Sequence, residues 1–259
     1  MRDCREEWYD KDAKVAVTIV DVTGAAQELA RGHLAGPTAA HYLTEALASV
    51  ALLGGEMSEK GETVILQAKC SGPLGGYNVE CTAQGTLRGY TEKKVLDGFD
   101  GMGKPKDRMV LGDQQIQVTR SVPGKILSQG ISTSLDGYLA GSLQRKACIR
   151  TEVAVSDEVE VLEARGVMVE ILPDSDRGKL EMSSCSSLSG SSRKILDSLG
   201  FPRAELRKTT PLKFACRCSP DRAIAMLAAL SEEERKALPP MIDITCHMCG
   251  KTFAVKTRE

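Results

Sequence analysis

Two close pairs of cysteines near the end of the chain constrain its folding more than any other feature. Cys216-Arg217-Cys218 is followed, after 27 residues, by Cys246-His247-Met248-Cys249-Gly250. The 46 residues from Phe214 to Glu259 are too few to bury a self-sufficient core, so they need a staple. Zinc takes four ligands at tetrahedral angles, with thiolate sulfur about 2.3 Å from the ion. A helical hairpin between the two pairs would bring them together, and Cys216, Cys218, Cys246 and Cys249 are the predicted ligands of one zinc ion. The Cys-x-x-Cys half with its trailing Gly250 is a common zinc knuckle. The Cys-x-Cys half is less usual, because ligands two apart in an extended segment must fold back to share a metal. A redox-active Cys-x-x-Cys of the thioredoxin type would open a helix inside a βαβ unit. Here ten residues follow the motif, so that reading fits poorly. His247 has no vacant ligand position to fill and is read as solvated, or as a hydrogen-bond partner of a sulfur.

The other cysteines are dispersed. Cys4, Cys70, Cys81, Cys148 and Cys185 bring the total to an odd nine, which argues against a disulfide framework. Each reads as a small, incidental or buried residue. The N-terminus is charged from Arg2 onward and carries no apolar segment of signal-peptide type. No apolar run approaches the roughly 20 residues of a membrane-spanning helix. The expected compartment is the cytoplasm, with no membrane partner. Net charge is −1, and residues 214–259 hold seven Lys/Arg against six Asp/Glu. Four thiolates around zinc add a net −2, so the module offers no basic stripe for phosphates and nucleic acid is not an expected partner.

Upstream of the cysteines the chain alternates strand-like and helix-like patterns without a βαβ rhythm, which predicts an α+β fold. Lys14–Val22 reads as a strand, Gly24–Leu34 as a helix, and Pro37 opens a second helix with Leu43, Leu47, Val50 and Leu53 on one face. Further strands are predicted at Thr63–Ala68, Tyr77–Thr82, Thr86–Tyr90, Gln114–Thr119, Ile149–Val155 and Val167–Leu172, and a helix over Ser134–Cys148. The stretch Ser183–Ser192 holds seven serines and a glycine, a linker composition. A short amphipathic segment, Arg193–Leu199, follows it and stops at Gly200 and Pro202. Near the cysteines, Ser219 and Pro220 start a helix, and Ser231 with Glu234 forms a capping box. Ile242–Thr245 and Thr252–Val255 form a hairpin around the knuckle. These textures divide the chain into a core at 1–178, a weakly stable linker at 179–213 and a zinc-binding module at 214–259.

The pairing permits chemistry as well as structure. Zinc-bound thiolate is deprotonated at neutral pH and open to oxidants where exposed, and each cysteine has a close partner for a disulfide. Zinc binding is also folding free energy, on the order of 10–16 kcal/mol for small zinc peptides. Oxidation would remove it, unfold the module and deprive the linker of its neighbour. No catalytic set accompanies this: His33 and His41 have no sequence-local acid or nucleophile, and Gly72–Gly76 lacks the lysine and hydroxyl of a phosphate loop. The chain is not expected to be an enzyme. A thiol-disulfide oxidoreductase and a zinc-stabilised module for nucleic acid or ribosomes are the rival readings.

Leu212-Lys213-Phe214-Ala215-Cys216-Arg217-Cys218-Ser219 and Thr245-Cys246-His247-Met248-Cys249 are similar to motifs of the heat shock protein 33 family. So, in family order, are Gly36-Pro37-Thr38-Ala39-Ala40, Gly72-Pro73-Leu74-Gly75 and Leu87-Arg88-Gly89-Tyr90. The chain resembles that family of redox-regulated, ATP-independent holdase chaperones over nearly its whole length. The resemblance implies a zinc-bound, reduced form that is inactive. It also implies activation by peroxide or hypochlorous acid through Cys216–Cys218 and Cys246–Cys249 disulfides, zinc release and linker unfolding. The implied partners are unfolding client proteins and, in the active form, a second copy. The chain departs from the family pattern at Ser121-Val122-Pro123-Gly124-Lys125 and Thr133-Ser134-Leu135-Asp136-Gly137-Tyr138, and its linker is unusually rich in serine.

Overall fold

The structure, a computed structural model, describes residues 3–101, 107–173, 175 and 187–257. Cys185, with Ser183, Ser184 and Ser186 of the serine-rich stretch, lies outside the described residues. In chain order the elements begin with β1 (Cys4–Asp10), β2 (Val15–Asp21), α1 (Thr23–His33) and α2 (Pro37–Leu53). Next come β3 (Thr63–Cys70), β4 (Gly76–Thr82), β5 (Thr86–Thr91), α3 (Asp107–Val110), β6 (Gln114–Val122) and β7 (Lys125–Ser132). The central part closes with α4 (Leu135–Gly141), β8 (Lys146–Val155) and β9 (Val161–Ile171). Then follow α5 (Ser192–Ser198), β10 (Glu205–Pro211), β11 (Lys213–Phe214), α6 (Pro220–Ala228), α7 (Glu232–Ala237), β12 (Met241–Thr245) and β13 (Thr252–Lys256).

Two sheets carry the α+β core. One has strand order β10-β1-β2-β9-β8 and the other β11-β5-β4-β3-β6-β7, antiparallel throughout except for the short parallel pairing of β11 with β5. The α2 helix lies between them, and Leu43, Leu47, Leu52, Leu66, Val79, Leu87 and Val118 belong to one continuous core. The sequence suggested a one-faced amphipathic helix there. Instead 15 of its 17 residues are buried, and Ala39, Ala40, Ala46, Ala48 and Ala51 keep its faces small enough for close packing. A helix covered on all sides has no need of a polar stripe.

The helix expected over Ser134–Cys148 is shorter than its sequence pattern implies. Ser134 caps α4 by accepting from the Gly137 amide, but the helix stops at Gly141, and Lys146–Cys148 belong to β8. Gly137 and Gly141 lower its helix propensity, and Lys146, Ala147 and Cys148 pair instead with Ile171, Glu170 and Val169 of β9. Strand β9 starts at Val161, six residues before its predicted start, and β1, β7 and β10 escaped prediction altogether. Strand β1 reads Cys-Arg-Glu-Glu-Trp-Tyr-Asp, whose charges mask its place between two partners. Arg5 is nevertheless 1% exposed, its guanidinium donating to the Ala51 carbonyl at 3.2 Å.

Residues from Leu188 to Ala204 cover the first sheet. Leu188, Ile195, Leu196, Leu199, Phe201 and Ala204 pack on Val15, Val17, Ile19, Val167 and Val169. Glu152 accepts from the Leu188 amide, and Arg165 donates to the carbonyls of Leu188 and Gly190 at 2.8 Å each. The Arg193 guanidinium lies over the Trp8 ring at 4.9 Å. Strand β10 then joins the edge of the sheet against β1.

Candidate metal centre

Residue by residue, the chain leads the first cysteine pair to the edge of the second sheet. Lys213 and Phe214 pair with Thr86 and Leu87 of β5, and the Ala215 amide donates to the Leu87 carbonyl at 3.1 Å. That register sets Cys216 beside Arg88. Beyond Cys218 the chain turns, because the Ser219 hydroxyl caps α6 through the Arg222 amide and Pro220 fits its first turn. The Ser231–Glu234 capping box forms in both directions and starts α7. Strands β12 and β13 pair Met241–Thr245 with Lys256–Thr252, confirming the expected hairpin. Ala223, Leu227 and Val255 are the buried residues of the module's own small apolar cluster.

The knuckle closes through backbone bonds. The Gly250 amide donates to the Cys246 carbonyl at 2.8 Å and the Cys246 amide to the Lys251 carbonyl at 2.9 Å. Gly250 sits at φ +73°, and a Cβ there would strike the Gly32 carbonyl of α1, so glycine is required twice over. A Cβ on Gly32 would in turn lie 2.7 Å from the Cys249 carbonyl oxygen. The knuckle is thus pressed against the end of α1. The Gly89 amide of β5 donates to the Met248 carbonyl at 3.1 Å, while Nε2 of buried His33 donates to the Gly89 carbonyl at 2.7 Å. Burial lowers the His33 pKa, and its bond to the Gly89 carbonyl only partly offsets that. His247 is exposed and meets Tyr90 edge-on, ring centroids 5.7 Å apart.

All four predicted ligand sulfurs lie within 4.8 Å of one another. The Cys216 and Cys246 sulfurs are 3.8 Å apart, and those of Cys218 and Cys249 are 3.5 Å apart. A tetrahedron of thiolates at about 2.3 Å from a central ion has sulfur-to-sulfur edges of about 3.8 Å, so the donor set fits a metal of zinc's size and softness. Cys249 is buried and the other three are half-buried. Burial raises the Cys216 pKa, but the Cys218 amide and the Arg88 guanidinium outweigh it and bring the thiol down to about 7. Burial holds Cys218 and Cys249 up. Cys216 therefore gives up its proton more readily than Cys218 or Cys249. The dispersed thiols behave differently: burial pushes Cys81 and Cys148 up to about 11 and also raises Cys4 and Cys70.

A model of the Hsp33 protein family matches residues 7–256, nearly the whole chain. The chain belongs to the Hsp33 family. Among its relatives is a 33 kDa chaperonin of Thermus thermophilus, 28% identical over 94% of this chain and 81% of that one. The 33 kDa chaperonin of Symbiobacterium thermophilum is 29% identical over 92% of this chain and 88% of its own. In fold, the crystal structure of the Thermotoga maritima 33 kDa chaperonin superposes with a TM-score of 0.85 at 20% identity, covering 99% of this chain and 96% of that one. The relatives' name is that of a chaperone, and none of the helices among the described residues is long and apolar enough to cross a membrane.

The four sulfurs were legible in the sequence, and what surrounds them was not. Gly32, His33, Glu80, Arg88 and Gly89 all touch the module or hold a residue that does. The Leu87-Arg88-Gly89-Tyr90 stretch stood out as an Hsp33 family motif, but nothing in its local pattern says that it faces Cys216, Met248 and His247.

Proposed function

We propose that this protein is a redox-regulated, ATP-independent holdase, inactive when reduced and zinc-bound and switched on by oxidative stress. The observation that carries the proposal is the gathering of four sulfurs, from two cysteine pairs, within 4.8 Å of one another against the core. Cys216, Cys218, Cys246 and Cys249 would hold one zinc ion, which keeps the thiolates deprotonated and contributes folding free energy to the module.

Peroxide takes two electrons from each thiolate pair: the S–S bond forms, the O–O bond breaks, and two protons complete two waters. Residues adjacent in the chain pair, giving Cys216–Cys218 and Cys246–Cys249, as the family resemblance implies. Oxidised sulfurs no longer hold the ion, so zinc is released and the module loses its staple. The core at 1–178 then loses the cover that the linker at 179–213 draws from the module at 214–259. The apolar face beneath Leu188, Ile195, Leu196 and Phe201 supports this reading, because its exposure would offer a surface to unfolding proteins. The protein would work in the cytoplasm, as a homodimer when oxidised, without nucleic acid or membrane.

The test follows two signals in one sample. Reduced, zinc-loaded protein treated with peroxide at mildly elevated temperature should release zinc and, over the same time course, begin to suppress aggregation of a denatured client. Zinc release with no suppression would sink the chaperone reading, and suppression by the fully reduced protein would sink the redox control.

A further inference from the structure

The core sheet meets the sulfur set at Cys216. Arg88 of β5 donates through Nη1 to the Cys216 sulfur at 3.8 Å and through Nη2 to the Glu80 carboxylate of β4 at 2.7 Å. The other oxygen of Glu80 accepts from Arg217, which stands between the first two cysteines, also at 2.7 Å. The Glu80 and Arg88 side chains are 6% and 15% exposed, whereas Arg217 is 56% exposed. A buried carboxylate therefore orients a nearly buried guanidinium onto one sulfur, and the more solvated Arg217 completes its hydrogen bonding.

Charge makes the arrangement directional. Two arginines and one glutamate sum to +1, and they abut a set of four thiolates that around a divalent cation totals −2. A guanidinium hydrogen bond draws electron density from the sulfur that accepts it, lowering its nucleophilicity while it remains a ligand. Cys218 shares the segment and is half-buried like Cys216, so it serves as an internal reference.

We propose that Arg88, oriented by Glu80, is a positioning residue through which the core sheet shields the Cys216 sulfur and slows its reaction with electrophiles in the metal-loaded protein. This rests on the zinc reading of the site but not on chaperone activity, so its test is independent of client binding. The device would make the sensor's reactivity depend on docking: a module that lifts off β5 exposes an unshielded Cys216.

The experiment uses full-length, reduced protein with one zinc per chain, pulsed with iodoacetamide and read cysteine by cysteine by mass spectrometry, with metal loss followed by a chromogenic chelator. In Arg88→Gln, Cys216 should be alkylated roughly tenfold faster relative to Cys218 than in the wild type, with zinc lost faster by a similar factor. Arg217→Gln keeps the Arg88 contact and should leave the Cys216 to Cys218 ratio unchanged. Should Arg88→Gln hold no zinc, Arg88→Lys decides. It keeps the charge but not the two-pronged geometry, and the ratio should rise about threefold, between wild type and the full effect. An unchanged ratio in the decisive variant overturns the proposal. So does an equal acceleration of all four cysteines, which would mean that Arg88 merely docks the module.

Discussion

Phe201→Ala is the perturbation that most directly tests whether residues 188–204 form a separable cover on the first sheet. Phe201 is 1% exposed and packs in the cluster formed by Leu188, Ile195, Leu196, Leu199 and the sheet residues Val15, Val17 and Val167. Truncating a buried phenylalanine to alanine costs about 3–5 kcal/mol, combining lost transfer free energy with the cavity left behind. The cover is a single short helix with flanking turns, so it belongs to the low-stability end of the structure and opens locally before the two sheets do. At about 1.4 kcal/mol per factor of ten, the opening equilibrium of the cover should rise more than about 100-fold. Amide hydrogen exchange reads this directly, because the Phe201 amide donates to the Leu196 carbonyl at 2.8 Å and the Leu199 amide to the Ile195 carbonyl at 3.0 Å. Those amides should exchange at least about 100-fold faster, while amides of β3, β4 and β6 change little. The reduced, zinc-loaded variant should also suppress client aggregation without oxidant. Uniform acceleration across both sheets would refute the reasoning, since it would make Phe201 part of the global core. Local acceleration without chaperone activity would separate the cover from function.

Three further outcomes are expected. Cys246→Ser removes one ligand, so zinc stoichiometry should fall well below one and residues 214–257 should become protease-sensitive without oxidant; full occupancy with unchanged resistance would count against the site. Gly250→Ala forces a side chain into φ +73° and onto the Gly32 carbonyl, and should likewise weaken zinc retention, as a chelator competition would reveal; retention equal to the wild type would show that the knuckle need not touch α1. Glu62, whose side chain is 0% exposed, accepts from the amides of Ser58 and Glu59 and from Arg120. Burial alone would raise its pKa, but these bonds win and lower it below 4.5. A carboxyl with a depressed folded pKa stabilises above its unfolded pKa and loses that contribution as pH falls through the folded value. Glu62→Gln should therefore destabilise by about 3 kcal/mol at pH 7. Its urea midpoint should converge on the wild type's as pH drops below 4.5, and a pH-independent gap would be inconsistent with this linkage.

What the sequence determined by itself is local chemistry. The spacing of Cys216, Cys218, Cys246 and Cys249 specified a four-sulfur set, and the caps at Ser219 and Ser231 and the hairpin around the knuckle formed where their residues placed them. The caps, the hairpin and each half of the sulfur set depend on atoms a few residues apart. Tertiary structure decided the rest. Strand β1 is stabilised by two partners, one of them about 200 residues away, so its charged pattern could not announce it. Lys146–Cys148 took the extended form because β9 offered a ladder, which local helix propensity could not foresee. Helix α2 is covered on every side because two sheets close around it. The same holds at the metal centre. Four cysteines identify a place to bind an ion, but Gly32, Glu80, Arg88 and Gly89 acquire their roles only when β5 and the end of α1 come up against the knuckle. Spacing along the chain encodes ligands; contacts between distant segments decide what holds them and how readily they react.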